Sequence, residues 1–111
     1  MAGRPPSGIG FMMRDVLAES GPIYPQELRR RINNIRTQNG IGNIGKGYID
    51  RLVHEAKELG LIRFVGKEPV PEWRRIPGVE GFNFYRYYEL SPGAESSRDW
   101  ATLAKSTASK T

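Results

Sequence analysis

The sequence predicts an α+β domain built from three helices followed by a two- or three-stranded β-hairpin. Three segments carry apolar residues at helical spacing, and two later segments are rich in β-branched and aromatic residues. Glycines and prolines separate these segments. A chain of 111 residues is long enough for one domain. We therefore expect a packed unit over residues 9–91, between a flexible N-terminal arm at 1–8 and a flexible or short-helical tail at 92–111.

The first helix is predicted to begin at Ile9 and to end at Ser20. Its apolar residues recur three and four positions apart, which places them on one face, and a Gly-Pro pair after Ser20 stops the helix. Residues 1–8 hold two glycines, two prolines and a single charge at Arg4. This composition does not sustain a regular element and indicates an arm.

The second helix is predicted to begin near Pro25, because the missing N–H of proline suits the first turn of a helix. Leu28, Ile32 and Ile35 then fall on one narrow face, which must be buried against another element. The opposite side is basic and carries Arg29, Arg30 and Arg36. We expect a helix that is apolar inside and basic outside.

Residues 37–47 contain four glycines and no periodicity, and we expect a loop with several glycines at positive φ. The third helix follows, and Gly60 stands where a left-handed C-terminal cap is expected. Its core-facing stripe consists of Ile49, Leu52, Val53, Ala56 and Leu59. Two interpretations of the loop stay open: it binds a phosphate beside Lys46 and the helix N-terminus, or it is a mobile surface connection.

Two antiparallel strands are predicted at 61–65 and 82–90. The segment between them is rich in glycine and proline, so it is neither a helix nor a central strand, and we expect a long hairpin excursion. Alternation in the second strand turns half of its aromatic residues to the core and leaves Tyr85 and Tyr87 exposed. In the tail, Trp100 and Leu103 are the two residues able to bury surface, and Ser97 is a candidate cap for a short helix.

The charge of the chain is basic and unevenly distributed. Seventeen Lys and Arg stand against 12 Asp and Glu, a net charge of +5 with a pI near 9.8. Between Tyr24 and Arg51, six basic residues stand against two acidic ones. This concentration favours a polyanionic partner, and the alternative is a solvated basic face without one.

The sequence offers little for catalysis. His54 is the single histidine, no carboxylate pair stands out, and there is no cysteine, so we expect no catalytic residue, no metal and no cofactor. Residues 40–45 match the pattern Gly-X-Gly-X-X-Gly, but a basic helix precedes them where a dinucleotide site needs a buried strand. Gly47 replaces the Ser or Thr that a phosphate-binding loop has after its lysine. We expect a protein that is not an enzyme and has no small-molecule substrate.

The chain also lacks an apolar stretch long enough for a membrane helix and an N-terminal apolar signal segment. We therefore expect no membrane partner and a cytoplasmic location, associated with the nucleoid if the source is prokaryotic.

Three short motifs add a family resemblance. Tyr-Pro-Gln-Glu-Leu at 24–28 is similar to the entry into a second helix, and Arg-Leu-Val at 51–53 with Leu-Gly-Leu-Ile at 59–62 is similar to the end of a recognition helix. With the order of elements, they make residues 9–90 resemble the winged helix-turn-helix superfamily of DNA-binding proteins. The long link between the second and third helices and the long hairpin loop depart from that pattern.

The resemblance implies that helix 3, about residues 46–59, enters the major groove and that the hairpin, or wing, contacts the backbone or minor groove. Arg51 is the candidate for a guanine contact, because a guanidinium fork matches O6 and N7. Lys46 and Tyr48 are candidates for phosphate contacts, and His54 for a groove contact. The remaining candidate DNA-contacting residues are Arg4 in the arm, Arg29, Arg30 and Arg36 on helix 2, and Lys67, Arg74 and Arg75 in the wing.

The leading hypothesis is therefore sequence-specific binding of double-stranded DNA by a transcriptional regulator, acting as a monomer or as a homodimer. One alternative is a winged helix used as a protein–protein interaction module in a replication or transcription assembly, which the aromatic residues Tyr85 and Tyr87 favour. A second is architectural DNA binding without sequence preference. A third is RNA binding through base stacking on the aromatic strand at 82–88.

Overall fold

The computed structural model describes residues 8–74 and 84–103. Three α-helices come first and an antiparallel β-hairpin follows, so the predicted α+β order of elements is confirmed. The helices are α1 (Ile9–Ser20), α2 (Pro25–Gln38) and α3 (Lys46–Glu58), and the strands are β1 (Ile62–Pro69) and β2 (Phe84–Leu90). Short 3-10 turns occupy Glu72–Arg74, Ala94–Ser96 and Arg98–Thr102.

Glycines end two of the helices where the sequence predicts it. Gly21 follows α1 at a φ of 72°, and Gly60 follows α3 at a φ of 75°. Residues that carry a Cβ rarely adopt such positive φ values. Pro25 occupies the first turn of α2, as predicted. These local signals set the helix boundaries.

The apolar stripes of the helices pack together in one core, with two corrections at helix ends. Leu28 and Ile32 of α2 are buried, and Ile35 is only partly buried against the core. On α3 the four residues of the predicted stripe from Ile49 to Ala56 are buried, but Leu59 is 44% exposed. The prediction for Leu59 is wrong: its N–H still donates to the Glu55 carbonyl (3.0 Å), but at about 100° per residue Leu59 lies at the edge of the stripe, and it follows the last residue of α3.

The connection between α2 and α3 is anchored to α2 by side chains. The amide of Asn33 donates to the carbonyl of Ile44 (3.2 Å) and accepts from its N–H (2.8 Å), and the Ile44 side chain is buried. Of the four glycines in this region, Gly40 alone has a positive φ, so the prediction of several such positions is wrong. An anchored loop with a buried apolar residue holds the start of α3 in place.

Strand β1 is longer than predicted and runs on to Pro69. A bulge between Phe64 and Gly66 shifts the register, after which pairing continues to Pro69 opposite Phe84. Glycine and proline are compatible with this strand because both strands of the two-stranded sheet are edge strands. Ile23 adds one isolated antiparallel bridge to Tyr88, which ties the segment before α2 to β2.

The core extends beyond residue 91 into the predicted tail. Trp100 is fully buried, its indole N–H donates to the carbonyl of Ala94 (2.7 Å), and Leu103 is buried beside it. The turn Arg98–Thr102 packs on α1, where Gly10 leaves room for it: a Cβ at Gly10 would lie 1.9 Å from the Trp100 carbonyl oxygen. The described part of the predicted tail is therefore a packed 3-10 segment, because Gly10 lets the Trp100 backbone lie against α1 while the indole is buried in the core.

Among residues 8–74 and 84–103, no helix combines the length and the apolar character that crossing a bilayer requires.

Candidate nucleic-acid interface

The solvent-facing side of α3 carries three of the predicted site residues. Lys46, Arg51 and His54 are exposed; Arg51 and His54 lie opposite the stripe that α3 buries in the core, and Lys46, one turn before Ile49, lies beside that stripe in the open first turn. The Nζ of Lys46 lies 3.4 Å from an Oδ of Asp50, and both side chains are more than half exposed. An ion pair this exposed contributes little to stability, so Lys46 is able to leave Asp50 and bind an external anion.

The beginning of α3 is open as well. Gly45, the residue before the helix, has no side chain to cap the first N–H groups, and Gly45, Lys46 and Gly47 are all exposed. The N–H groups of a first helical turn lack partners within the helix and carry a partial positive charge. Tyr48, a predicted phosphate contact, is instead half-buried, and its ring packs against the core.

The basic face predicted for α2 is largely occupied by contacts within the protein. Arg30 and Arg31 both bind the carboxylate of Glu27, at 3.0 Å for Arg31, and Arg36 donates through Nε to the carbonyl of Gly42. Arg29 is half-buried and donates to the side chain of Gln26 (3.2 Å). Arg30 is exposed on the outer side of α2, as expected, whereas Arg29 and Arg36 are only partly exposed; acceptors on α2 and its loop bind all of these side chains.

Glu27 responds strongly to this environment. The hydrogen bond from Arg30, and then that from Arg31, lower the pKa of Glu27 from its ordinary value of 4.5 to about 2, against the opposing effect of burial. Glu27 is therefore ionised at any pH well above 2, where it forms an ion network with Arg30 and Arg31 at the start of α2. The carboxylate also lies in the first turn of α2, where it complements the helix dipole.

A groove of about 460 Å³ lies between α3, the start of α2 and strand β2. Among the described residues that line it, one carboxylate, that of Asp50, faces four cationic side chains. The cations are Lys46, Lys57, Arg74 and Arg86. Its apolar and aromatic lining consists of Tyr24, Pro25, Val53, Val70, Phe84, Tyr85 and Tyr88. We call this cavity the helix–hairpin groove; it combines an apolar floor with a cationic rim.

Aromatic rings join the start of α2 to the hairpin. Tyr24 stacks on Tyr85 with ring centroids 4.1 Å apart, and the edge of Tyr24 meets Tyr87 at 5.5 Å. Burial, followed by the neighbouring Tyr85, raises the pKa of Tyr24, and burial also raises the pKa of Tyr87. Tyr85 and Tyr87 are half-buried, so the expectation that they are simply exposed is wrong: Tyr24 covers them.

Two predicted cations of the hairpin region lie near these aromatic rings. Arg74 donates through Nη1 to the Tyr85 hydroxyl (2.7 Å), and the Nζ of Lys67 lies 4.6 Å from the centroid of the Phe84 ring. Both side chains are exposed. Trp73, next to Arg74, is 83% exposed. The structure thus brings Arg74 to the rim of the helix–hairpin groove together with Lys46 and His54. Arg4 and Arg75 lie outside the described residues.

Sequence reasoning missed Lys57 and Arg86, although the signals were present. Lys57 follows Lys46 by 11 residues, about three helical turns, so both lie on the same side of α3. Arg86 alternates with Phe84 and Tyr88 and shares their face of the hairpin. Finding them required knowing that these two faces border one groove. Within the described parts of the chain, no group of three or more His, Asp or Glu side chains could hold a metal ion.

Comparisons of the chain with protein-family models, with curated protein sequences and with solved structures found no match. The functional assignment therefore depends on the geometry and charges of this chain itself.

Proposed function

We propose that this protein binds double-stranded DNA as a winged helix protein, reading the major groove with α3 and contacting the backbone with the hairpin. The observation that carries the proposal is the convergence of exposed cations from α3 and the hairpin region around one groove. Lys46 and Lys57 come from α3, Arg74 and Arg86 from the hairpin side, and Asp50 is the one described carboxylate among them. Converging cations from separate elements are the electrostatic footprint of a polyanion site.

The geometry of α3 supports entry of its first half into the major groove. The helix is fixed by its buried stripe, and Arg51 and His54 are exposed on the opposite side. An exposed arginine on such a helix is able to bind O6 and N7 of guanine with its guanidinium. The uncapped first turn, with Lys46, offers N–H groups and a charge for a phosphate at the groove edge.

The anchored α2–α3 loop supports the same proposal. Asn33 holds Ile44, and Arg36 holds Gly42, so the chain that leads into α3 is fixed before any ligand binds. Fixing the reading helix in advance reduces the ordering cost of binding. In this account Arg36 positions the loop, and Lys46, Arg51 and His54 make the contacts with DNA.

The proposal is tested by fluorescence anisotropy with a labelled duplex of about 20 base pairs, two turns of B-DNA, over a series of salt concentrations. We expect the logarithm of the affinity to fall linearly with the logarithm of the salt concentration. Lys57→Ala should weaken binding to all duplexes and reduce the salt slope by about 1. Arg98→Ala, which removes the same charge from the exposed surface of the Arg98–Thr102 turn, is the matched control. Absence of duplex binding, or binding that ignores salt, would overturn the proposal.

Transcriptional regulation is the role we propose for this binding, and it requires base preference. Selection from random duplexes should recover one motif, and its absence with duplex binding intact would point to architectural binding instead.

A specific observation favours the protein-interaction module as a second candidate. Trp73 is 83% exposed, and exposed tryptophans are enriched at protein interfaces. If this candidate holds, Trp73→Ala abolishes binding to one stoichiometric protein partner while Arg51→Ala has no effect. DNA binding that depends on Arg51 and persists in Trp73→Ala would decide for the DNA-binding proposal.

A further inference from the structure

The helix–hairpin groove has the size and chemistry of a small-ligand site beside the proposed DNA-reading helix. Its volume of about 460 Å³ lies within the range of about 300–1,000 Å³ that is usual for ligand pockets. Half-buried Phe84 contributes aromatic surface to its floor beside the buried ring of Tyr88, and Lys57 and Arg86 contribute positive charge. A planar ring that carries a phosphate matches both features at once, since the ring packs on aromatic surface and the phosphate binds cations.

The backbone of β2 adds hydrogen-bonding groups to this groove. Tyr88 exchanges two hydrogen bonds with Ile23, both at 2.9 Å, so its N–H and C=O point away from β1. Alternate residues of an antiparallel strand direct these groups to the same side. The N–H and C=O of Arg86 and Phe84 therefore also point away from β1, along the edge of β2 beyond the bridge to Ile23. Such paired donors and acceptors suit the polar edge of a nucleobase.

We propose that the helix–hairpin groove binds one unpaired nucleotide, with its base on the aromatic floor and its phosphates on the cationic rim. A paired base does not fit this role, because its faces are stacked and its polar edge is occupied by its partner. The protein therefore prefers duplex DNA that presents an unpaired nucleotide beside the segment bound by α3. This inference rests on the proposed function, because it places the nucleotide next to a duplex already held by the reading helix.

The cationic rim favours a nucleotide over an extended peptide at the same edge. A peptide strand added to β2 would use the backbone groups of Phe84 and Arg86, but it would leave Lys57, Arg74 and Arg86 without anionic partners unless it were acidic. A nucleotide satisfies all three features together: its base meets the aromatic floor and the backbone edge, and its phosphodiester meets the charges.

The test compares five probes by anisotropy or competition: a blunt duplex, the same duplex with a short single-stranded overhang, the duplex with one extrahelical base, the isolated single strand, and a nucleoside monophosphate. We expect the overhang or the extrahelical base to bind about tenfold more tightly than the blunt duplex, as stacking of one base predicts. If the overhang increases affinity most, the nucleotide comes from a strand end; if the extrahelical base does, it comes from within the duplex.

Two variants test whether the gain in affinity for the unpaired nucleotide comes from the helix–hairpin groove. Arg86→Gln removes an exposed charge of the rim, and Phe84→Leu keeps the apolar bulk but removes the aromatic face. Phe84→Leu should reduce the tenfold preference to about twofold or less while blunt-duplex affinity changes far less. Arg86→Gln should reduce the preference as well, and because Arg86 is one of the cations assigned to duplex binding, it should also weaken blunt-duplex binding by the loss of one phosphate contact. Arg98→Gln, with the same loss of charge outside the groove, should keep the full preference. Circular dichroism establishes that each variant is folded.

The outcomes separate this inference from the proposed function. Equal affinity for the blunt and unpaired duplexes, with blunt-duplex binding still dependent on Arg51, overturns the inference and leaves the proposed function intact. A third outcome is that the protein binds the single strand or the monophosphate but no duplex, and that Arg86→Gln abolishes this binding. This result supports the groove as a nucleotide site and overturns duplex binding. Binding of an acidic peptide with no nucleic acid binding overturns both.

Discussion

The ring of Tyr24 stacks on the ring of Tyr85 with 4.1 Å between centroids and 18° between planes. This pair joins the residue just before α2 to the start of β2, and Arg74 extends it by donating to the Tyr85 hydroxyl. Both rings line the helix–hairpin groove, so the stack joins two of the elements that border it. The fold and the candidate site are therefore coupled at these two residues.

Loss of this stack should destabilise the protein and loosen the hairpin. We expect Tyr24→Ala to lower the free energy of unfolding by about 1–2 kcal/mol, from lost aromatic contact and lost apolar burial. Urea titration measures the change. Tyr85→Phe keeps the stack but removes the hydrogen bond from exposed Arg74, and should cost under about 1 kcal/mol. Equal effects of the two variants would mean that the stack does not hold the hairpin.

Gly10 should tolerate no larger side chain, because α1 meets the Trp100 backbone there. A Cβ at Gly10 would lie 1.9 Å from the Trp100 carbonyl oxygen, so Gly10→Ala should displace the segment from Ala94 to Leu103. We expect a loss of about 2 kcal/mol or more in thermal unfolding, with increased quenching of tryptophan fluorescence by iodide. Gly47→Ala is the control. Apart from its own stretch of helix, no atom lies within 4 Å of the position that a Cβ would take, so the substitution should be neutral or stabilise α3 by up to about 1 kcal/mol.

Asn33 and its neighbour Asn34 form a matched pair for testing the anchored loop. Asn33→Ala removes both hydrogen bonds to Ile44 and leaves backbone groups unpaired, so the free energy of unfolding should fall by about 1–3 kcal/mol. Amide hydrogen exchange at Ile44 should also accelerate. Asn34→Ala, at an exposed position of the same helix, should stay within about 0.5 kcal/mol of the parent. A loop that exchanges no faster in Asn33→Ala would refute the anchoring role.

The Glu27 network predicts a component of stability that depends on pH. Its folded pKa of about 2 lies below the ordinary 4.5, so the ionised carboxylate stabilises the fold above pH 4.5, and this contribution is lost as the pH falls towards 2. The partners are partly exposed, so we expect at most about 1 kcal/mol. The free energy of unfolding, measured at pH 5 and at about pH 2, should differ between the two pH values by less in Glu27→Gln than in the parent protein. Glu19→Gln, on the exposed side of α1, should leave this difference unchanged.

Arg51 should determine base preference if α3 reads the major groove. In selection from random duplexes, Arg51→Ala is expected to lower affinity by about 1–3 kcal/mol and to relax preference at one guanine position. Lys67→Ala, at an exposed position of β1, should weaken binding without changing the selected motif. An unchanged motif in Arg51→Ala would show that α3 does not make the base contact assigned to it.

The sequence by itself determined the elements and their order, because helical and strand periodicity and glycine or proline boundaries are local properties. The ends of α1 and α3 at Gly21 and Gly60 and the burial of the α3 stripe were readable in this way. The exposure of Arg51 and His54 followed from the same periodicity.

Only the tertiary structure decided which of the charged and aromatic side chains are available to a partner. Arg30 binds Glu27 and Arg36 binds Gly42, although both arginines look like free cations in the sequence. The segment that carries Trp100 packs on α1 where Gly10 leaves room for the Trp100 carbonyl, and Lys57 and Arg86 share a rim only because α3 and β2 border one groove. Contacts between segments distant in the chain leave no periodic signal in either segment, and they decide the surface on which function depends.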